Sequence, residues 1–185
     1  MRIVGGDWRG RGLATPKDNA TRPTSDRTRE ALFSILAGNY PETLDATRVL
    51  DLFAGTGALG FEALSRGADF CLFVDNAVAA RAMLRENTER LGAAGQCKVF
   101  RRDATRLGPR PVQTGAPYHL VFADPPYGRG LAEKALTAAR QGDWLAADAL
   151  IVVEEDRRSN FSAPERFDEI DRRAYGDTEL IFLRG

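Results

Sequence analysis

Histidine and cysteine are both scarce in this sequence, and their scarcity excludes several kinds of site. The 185 residues include one histidine and two cysteines, Cys71 and Cys97. Without a Cys/His cluster a zinc site is not expected, and no metal ligands are predicted. Both cysteines lie in or beside apolar runs, which is typical of small core residues in a reducing compartment rather than of a disulfide.

The sequence also lacks net charge and long apolar stretches. Its formal net charge at pH 7 is +0, so no overall field favours a polyanionic partner. No apolar run approaches the length of about 18 residues that a membrane span needs, and no signal peptide is evident. A chain of this length fits one domain with a substantial core. We therefore expect a cytoplasmic protein without a membrane partner.

Basic residues are concentrated at the beginning of the chain. Residues 1–29 contain Arg2, Arg9, Arg11, Lys17, Arg22, Arg27 and Arg29, against the acids Asp7, Asp18 and Asp26. Nearly all are arginine, whose planar fork binds phosphate in a bidentate way and stacks on bases. Residues 1–15 are expected to form a short β-hairpin or irregular arm, and residues 19–25 a loop. Residues 1–25 are thus predicted to be a basic arm for nucleic-acid contact, or alternatively a solvated leader.

Strand and helix patterns alternate through residues 26–185, which we expect to form one domain. Ser25 or Thr24 is expected to cap a first helix over residues 26–37. Strands are predicted at residues 49–53, 70–75, 98–101, 120–124 and 149–154, with helices at 59–66, 77–91 and 131–140. Continuous apolar strands separated by helices indicate an α/β fold with a parallel sheet covered on both faces. Residues 167–174 and 179–183 predict a closing antiparallel hairpin.

A glycine-rich segment follows the first predicted strand. Residues 51–60 read DLFAGTGALG, in which Gly55 and Gly57 permit a tight turn and close approach of a ligand to the backbone. The segment also fits the G-x-G-x-x-G pattern, so the glycines alone do not distinguish NAD from another nucleoside cofactor. Thr56 lies between these glycines and belongs to the predicted cofactor site.

Acidic residues end the next two predicted strands. Asp75 follows the glycines by about twenty residues, a spacing at which a carboxylate accepts hydrogen bonds from ribose hydroxyls. Asp103 could accept from an adenine amino group, or could belong to a solvated loop. The residues after these acids, Asn76 and Ala104, complete this part of the predicted site.

The most specific motif is Asp124-Pro125-Pro126-Tyr127, which follows an apolar run at residues 118–123. Proline fixes φ, lacks an N–H and biases the preceding residue to extended geometry, so the motif predicts a rigid shelf at the end of a buried strand. The shelf offers a carboxylate, carbonyl groups outside the sheet ladder and an aromatic ring. It can hold a planar amine by hydrogen bonds while the tyrosine stacks on its face. The structural alternative is a strand that ends in a Pro-Pro turn.

The predicted strand order brings the glycine segment and the shelf together. In doubly wound sheets the ligand crevice lies where the strand order reverses, outside the carboxyl ends of the strands. An order of 3-2-1-4-5 would put the two segments one strand spacing apart, roughly 5 Å. The sequence therefore predicts one crevice that holds both a cofactor and a planar amine.

Together, residues 51–60, Asp75 and residues 124–127 resemble the class I methyltransferases that use S-adenosylmethionine, especially those that methylate nucleobase amines. Three further segments narrow the resemblance to the RsmD family: RIVGGDWRGR at residues 2–11, RPTSDRTRE at 22–30 and YGDT at 175–178. The resemblance covers essentially the whole chain. It implies a Rossmann-like, seven-stranded, mostly parallel sheet whose last strand is antiparallel. It also implies S-adenosylmethionine as cofactor, with Asp51 or Phe53 near its methionine end and Asp124 among its contacts.

Members of that family methylate the 2-amino group of a guanine in 16S ribosomal RNA. The resemblance implies that the substrate is the small ribosomal subunit or its assembly intermediate, with ribosomal proteins as further candidate partners and a monomeric enzyme. Asp124 and the Pro125 carbonyl would accept hydrogen bonds from the amine, Pro126 would stiffen the shelf, and Tyr127 would stack on the flipped base. The predicted RNA-binding set comprises Arg2, Trp8, Arg9, Arg11, Arg22, Arg27 and Arg29.

Three other functions remain open from the residues alone. The shelf would serve the N6 amine of adenine in DNA equally well, although the chain leaves little room for a recognition domain. An NAD-dependent oxidoreductase fits the glycines but leaves Asp124 and Tyr127 unexplained. A non-catalytic RNA-binding module would have no need of Asp124.

Overall fold

The computed structural model describes residues 1–16 and 26–185, so the expected caps Thr24 and Ser25 and the predicted RNA contact Arg22 lie outside the described residues. The longer helices are α1 (Asp26–Asn39), α2 (Ala58–Ser65), α3 (Val78–Leu91) and α4 (Leu131–Gln141). The strands are β1 (Arg48–Leu52), β2 (Phe70–Val74), β3 (Cys97–Phe100), β4 (Tyr118–Ala123), β5 (Leu145–Asp156), β6 (Asp168–Tyr175) and β7 (Thr178–Arg184). Single 3-10 turns occupy Pro41–Thr43, Ala104–Arg106 and Val112–Thr114.

One seven-stranded sheet organises the chain, in the order β3-β2-β1-β4-β5-β7-β6. The pairs among β1 to β5 are parallel, whereas β7 runs antiparallel to both β5 and β6. The predicted order of the first five strands and the closing hairpin are therefore confirmed. The chain reverses its direction of winding between β1 and β4, and this reversal defines the switch point of the sheet.

The sheet buries apolar side chains on both faces, as the continuous apolar strands predicted. On one face α1, α2 and α3 pack over residues such as Val49, Phe73 and Phe122. On the other face α4 and the buried Trp144 pack over residues such as Leu50, Val121 and Ile151. Among the described residues, no helix is long and apolar enough to span a membrane.

Residues 1–16 form a hairpin-like arm that packs on the first of these faces. A single bridge joins Arg2 to Gly12, and Ile3 and Leu13 are buried in the core. The arm is tied to α2, because the backbone amide of Val4 donates to the Glu62 carboxylate at 2.9 Å and that of Trp8 donates to Ser65 Oγ at 2.9 Å. This described part of the predicted N-terminal unit therefore shares its core with the α/β domain.

Strand β6 forms one open edge of the sheet and carries mostly charged side chains. Arg172 forms ion pairs with Glu169 at 2.7 Å and with Glu179 of β7 at 2.8 Å, and Arg173 forms one with Asp171 at 2.8 Å. These side chains are exposed or half-buried, so this edge of the sheet is highly polar.

Candidate active site

Two loops begin side by side at the switch point of the sheet. Strands β1 and β4 are paired, with Leu52 opposite Ala123, so the next residues along the chain are Phe53 and Asp124. Because the strands are parallel, both loops leave the sheet at its carboxyl edge. The structure thus brings the glycine segment and the proline shelf together, as the strand order predicted.

The loop after β1 has a strained and glycine-dependent backbone. Phe53, Gly55 and Gly57 all have positive φ, at 60°, 55° and 79°. At Gly57 an added Cβ would lie 2.6 Å from side-chain atoms of Leu84 and Phe61, so both the space and the φ angle demand glycine. At Gly55 an added Cβ would meet only the Phe53 carbonyl oxygen, at 3.9 Å. Gly55 therefore presents bare backbone to an open side of the crevice.

Asp75 ties this loop to the end of β2. Its Oδ2 accepts a hydrogen bond from the Gly55 amide at 2.9 Å, and its Oδ1 accepts one from the Ala77 amide at 2.8 Å. A carboxylate oxygen can accept more than one hydrogen bond, so these contacts leave capacity for a ligand hydroxyl. The exposed Asn76 lies beside it. The predicted roles of Asp75 and Asn76 toward a ribose remain predictions.

Asp51 lies below the loop and is buried, with 2% of its surface exposed. Its Oδ2 accepts the Gly60 amide of α2 at 3.0 Å. Burial raises the pKa of Asp51 well above its usual value, against the Gly60 hydrogen bond, and the charge of Asp75 raises it further. Asp51 therefore helps to hold α2 against the sheet. Its predicted cofactor contact, like that of Phe53, remains a prediction.

Asp103 caps the short helical turn after β3. Its Oδ1 accepts hydrogen bonds from the Thr105 hydroxyl at 2.7 Å and the Thr105 amide at 2.9 Å. The hydroxyl contact is the main cause that lowers the pKa of Asp103. Ala104 is buried, with 4% of its surface exposed, and packs in the core of the second face. The predicted adenine contact of this segment remains a prediction.

The shelf after β4 presents side chains rather than bare backbone. Pro125 is buried, Asp124 and Tyr127 are half-buried, and Pro126 is exposed. The phenol of Tyr127 donates a hydrogen bond to Glu154 Oε1 at 2.8 Å. Burial raises the pKa of Tyr127, and the charges of Glu154 and Asp124 raise it further, so the phenol stays protonated.

A buried amide connects the arm to the first loop. Asn87 of α3 has no exposed surface, and its Nδ2 donates to the Thr56 carbonyl at 2.9 Å. The same side chain accepts the Ala14 amide at 2.6 Å and donates to the Ala14 carbonyl at 3.3 Å. Thr56 also places its hydroxyl 3.6 Å from the sulfur of Met1. The arm therefore contacts the loop that carries the predicted cofactor glycines.

The predicted RNA-binding residues differ in their exposure. Arg2, Arg9, Arg11 and Arg27 are exposed, whereas Trp8 is half-buried against the first-face core. Arg11 donates to the last carbonyls of α3, those of Arg90 at 2.7 Å and Leu91 at 3.1 Å. RNA contact by these residues remains a prediction, and any contact by Arg11 would compete with its helix cap.

The prediction that Arg29 binds RNA is wrong, because its side chain is completely buried. Its guanidinium donates to Asp26 Oδ1 at 2.8 Å and to the Arg2 carbonyl, and its Nε lies 3.6 Å from Glu62 Oε2. A charge in this position cannot reach an RNA phosphate without leaving its partners. Arg29 therefore joins α1, α2 and the arm instead of forming an RNA surface.

The sequence did not identify four residues that the structure places at or near the site. Val78, at the start of α3 and just beyond Asp75, leaves 73% of its surface exposed, whereas Asn87, Glu154 and Glu155 are buried. Val78 could have been recognised from the sequence, because it is an apolar residue at the exposed start of a predicted helix. The two glutamates end an apolar strand and look like a solvated terminus in the sequence. Among the described residues, no His, Cys, Asp or Glu cluster could hold a metal ion.

Comparison with solved structures agrees with this architecture. A putative methyltransferase, yhhF, from Escherichia coli superposes with a TM-score of 0.82 at 33% identity, covering 100% of this chain and 97% of its own. The putative methylase HI0767 from Haemophilus influenzae gives 0.79 at 29%, with the same coverage. SMU.776, a putative methyltransferase complexed with SAH, shares the fold at 14% identity and a TM-score of 0.58, covering 85% and 49%. The fold is that of the class I methyltransferases.

Sequence comparison specifies the family within this class. A family model described as "Conserved hypothetical protein 95" matches residues 1–184. Ribosomal RNA small subunit methyltransferase D from Escherichia coli (strain K12) is 43% identical over 156 residues, 84% of this chain and 75% of that protein. The putative rRNA methyltransferase YlbH from Bacillus subtilis (strain 168) is 37% identical over 157 residues, 85% and 83%. The chain belongs to the RsmD family, as its motifs predicted.

Proposed function

We propose that this protein methylates the exocyclic N2 amine of a guanine in 16S ribosomal RNA of the small ribosomal subunit, with S-adenosylmethionine as methyl donor. The observation that carries the proposal is the pairing of β1 with β4, which puts the Asp124 shelf beside the glycine loop. Similar proteins carry the name ribosomal RNA small subunit methyltransferase D, which supports the choice of substrate.

The residues at the carboxyl edge suit an adenosine-containing cofactor. Gly55 offers open backbone, Asp75 offers a carboxylate that already faces the loop, and Val78 offers an exposed apolar side chain. We assign the ribose to Asp75, the adenine to the surface between Val78 and Asp103, and the methionine end to the loop after Phe53. When bound, S-adenosylmethionine supplies a methyl group on a sulfonium sulfur, which an amine can attack directly.

Asp124 and the Pro125 carbonyl would act on the amine. The lone pair of a guanine amine is delocalised into the ring, so the nitrogen is a poor nucleophile. Two acceptors that take its N–H groups would turn the lone pair out of the ring plane and stabilise the positive charge that develops on nitrogen. The nitrogen becomes strongly acidic only once it is methylated, so Asp124 would not need to be a strong base to take the proton that is then released. Correct placement of the reactants contributes much of the remaining acceleration, about 7–11 kcal/mol in well-oriented systems.

Tyr127 and the arm would hold the RNA. The ring of Tyr127 can stack on the flipped base, an interaction worth about 1–3 kcal/mol per base. Arg2, Arg9 and Arg27 are exposed and can meet phosphates. The described residues form one sheet with its helices, which offers little surface for reading a sequence, so we infer that RNA shape and neighbouring ribosomal proteins select the target. An assembled or partly assembled subunit is therefore the proposed substrate.

Transfer of a labelled methyl group tests the proposal directly. Small subunits from a strain that lacks this gene, the RNA stripped from them and duplex DNA would each be incubated with enzyme and labelled S-adenosylmethionine, then digested to nucleosides. We expect label in N2-methylguanosine from the subunits. Label in N6-methyladenine from DNA would replace the proposal with the adenine alternative, and strong turnover on stripped RNA would contradict the assembled substrate.

A further inference from the structure

Two glutamates at the end of β5 are buried and have no part in the transfer as proposed. Glu154 exposes 3% and Glu155 5% of its surface. Both lie just beyond the residues of β5 that pair with β4, which end at Val153, and both still pair with β7 on the other side. Isolated buried carboxylates are costly, so a buried acid is expected to have a specific partner.

Both acids contact the segment that follows the shelf prolines. Glu154 Oε1 accepts the Tyr127 phenol at 2.8 Å, and Glu155 Oε1 accepts the Gly128 amide at 2.6 Å. Successive side chains of a strand point to opposite faces, so the two acids reach this segment from the two faces of the sheet. Tyr127 and Gly128 are consecutive, and both are therefore anchored to β5.

The contact with Glu154, together with one to the Thr178 side chain, restricts where the Tyr127 ring lies. A tyrosine side chain has two rotatable angles between the backbone and the ring, and a hydrogen bond at the far end of the ring restricts both. Burial raises the pKa of Tyr127, and the charges of Glu154 and Asp124 raise it further, so the phenol stays protonated and can donate. An unanchored ring would lose this conformational freedom when a base stacks on it, whereas the anchored ring has already lost it.

We propose that Glu154 is a positioning residue that, through the Tyr127 phenol, presents the tyrosine ring to the target base. The proposal rests on the proposed function, because it specifies how that site receives its substrate. Glu154 itself does not touch the base. Its removal should therefore weaken productive RNA binding without affecting the cofactor, which the proposed function assigns to the other loop.

A double-mutant cycle between the two side chains tests the proposal. Glu154→Ala, Tyr127→Phe and the double variant would be compared for KM and kcat on small subunits and for S-adenosylmethionine affinity by calorimetry. We expect each single variant to raise KM about tenfold, the size of one hydrogen bond to a charged group, and the double variant to be no worse than either. Cofactor affinity should stay within about twofold of the wild-type value.

Three further variants separate positioning from general stability. Glu154→Gln keeps an acceptor for the phenol and should restore most of the lost KM. Glu154→Met fills the same space without an acceptor, and serves if the alanine variant does not fold. Glu179→Gln, which removes a partly exposed acid of β7 paired with Arg172, is a matched control that should leave KM unchanged.

Failure of the positioning role of Glu154 and failure of the proposed substrate would give different results. An unchanged KM in Glu154→Met, or losses that multiply in the double variant, would overturn the positioning role. Failure of the wild-type enzyme to label any subunit, while it still binds S-adenosylmethionine, would overturn the proposed substrate instead.

Discussion

The loop after β1 and the loop after β4 lie side by side, but glycine shapes the first and proline the second. In the first, residues with positive φ turn the backbone so that Gly55 lies open to the crevice. In the second, Pro125 and Pro126 stiffen the chain and Asp124 and Tyr127 present their side chains. Open backbone, as at Gly55, can contact a large ligand without depending on particular side chains. The side chains of Asp124 and Tyr127 can instead contact one reacting group.

The supports of the two loops differ in the same way. Asp75 and Asn87 hold the first loop through its backbone amide and carbonyl groups. Glu155 also holds a backbone amide of the second loop, that of Gly128, but Glu154 holds this loop through a side chain, the hydroxyl of Tyr127. Substitutions in one loop should therefore affect cofactor binding, and substitutions in the other should affect the transfer.

Asp124→Ala is the strongest test of the division. Loss of the carboxylate removes a main acceptor for the amine, and we expect transfer to fall by about 10²–10³-fold or more. Affinity for S-adenosylmethionine should remain within about twofold, measured by calorimetry on the same preparation. Lost cofactor affinity would mean that Asp124 serves the first loop as well, and the division between the loops would fail.

Gly57→Ala tests the first loop. The new Cβ would clash with Leu84 and Phe61 at 2.6 Å and would impose strain at φ 79°, so we expect a loss of roughly 2–4 kcal/mol of unfolding free energy. Gly10→Ala is the matched control, because Gly10 has φ 84° but no atom within 4 Å of an added Cβ. It should lose only roughly 1 kcal/mol in urea unfolding. Equal losses in the two variants would show that packing at Gly57 contributes nothing.

Asp51→Asn tests whether the acid below the first loop acts through structure alone. Burial raises the pKa of Asp51 in the folded state above its value of about 3.9 in the unfolded state. The stability that this difference contributes is fully present below about pH 3.9, the unfolded pKa, and is lost as the pH rises through the folded pKa. Asparagine keeps an acceptor for Gly60 and does not ionise. Thermal unfolding from pH 4 to pH 8 should therefore show the variant gaining on the wild type as pH rises. A parallel curve would contradict the raised pKa.

Neutralising Arg9 and Arg27 should have the smallest effect. Two exposed guanidinium groups that meet phosphates would each release counterions, so the slope of log K for RNA against log salt should fall by about 0.7 per contact. Filter binding at several salt concentrations measures this slope, with cofactor affinity as the control for the first loop. Arg85→Ala on α3 provides a comparison outside the predicted RNA set. An identical slope in both variants would remove Arg9 of the arm and Arg27 of α1 from the RNA surface.

Much of this site was predictable because local patterns and topology agree. The apolar strands, the glycines at residues 55 and 57 and the order of β1 and β4 together placed Asp124 beside the glycine loop. Arg29 was assigned wrongly from charge alone, although it lies three residues before Leu32 and seven before Leu36 and so shares the buried face of α1. Glu154 could not be found, because its role depends on which loop crosses the end of its strand.

The charged edge strand β6 has a consequence for how the protein behaves at high concentration. An open sheet edge is a template on which a second chain can add a strand, the route to fibrils and precipitates. Along β6 an added strand would have to disturb the Arg172 ion pairs and desolvate several charges at once. The edge is thereby protected against self-association, and apolar substitutions such as Arg173→Val should be tolerated by the fold yet make the protein prone to aggregate.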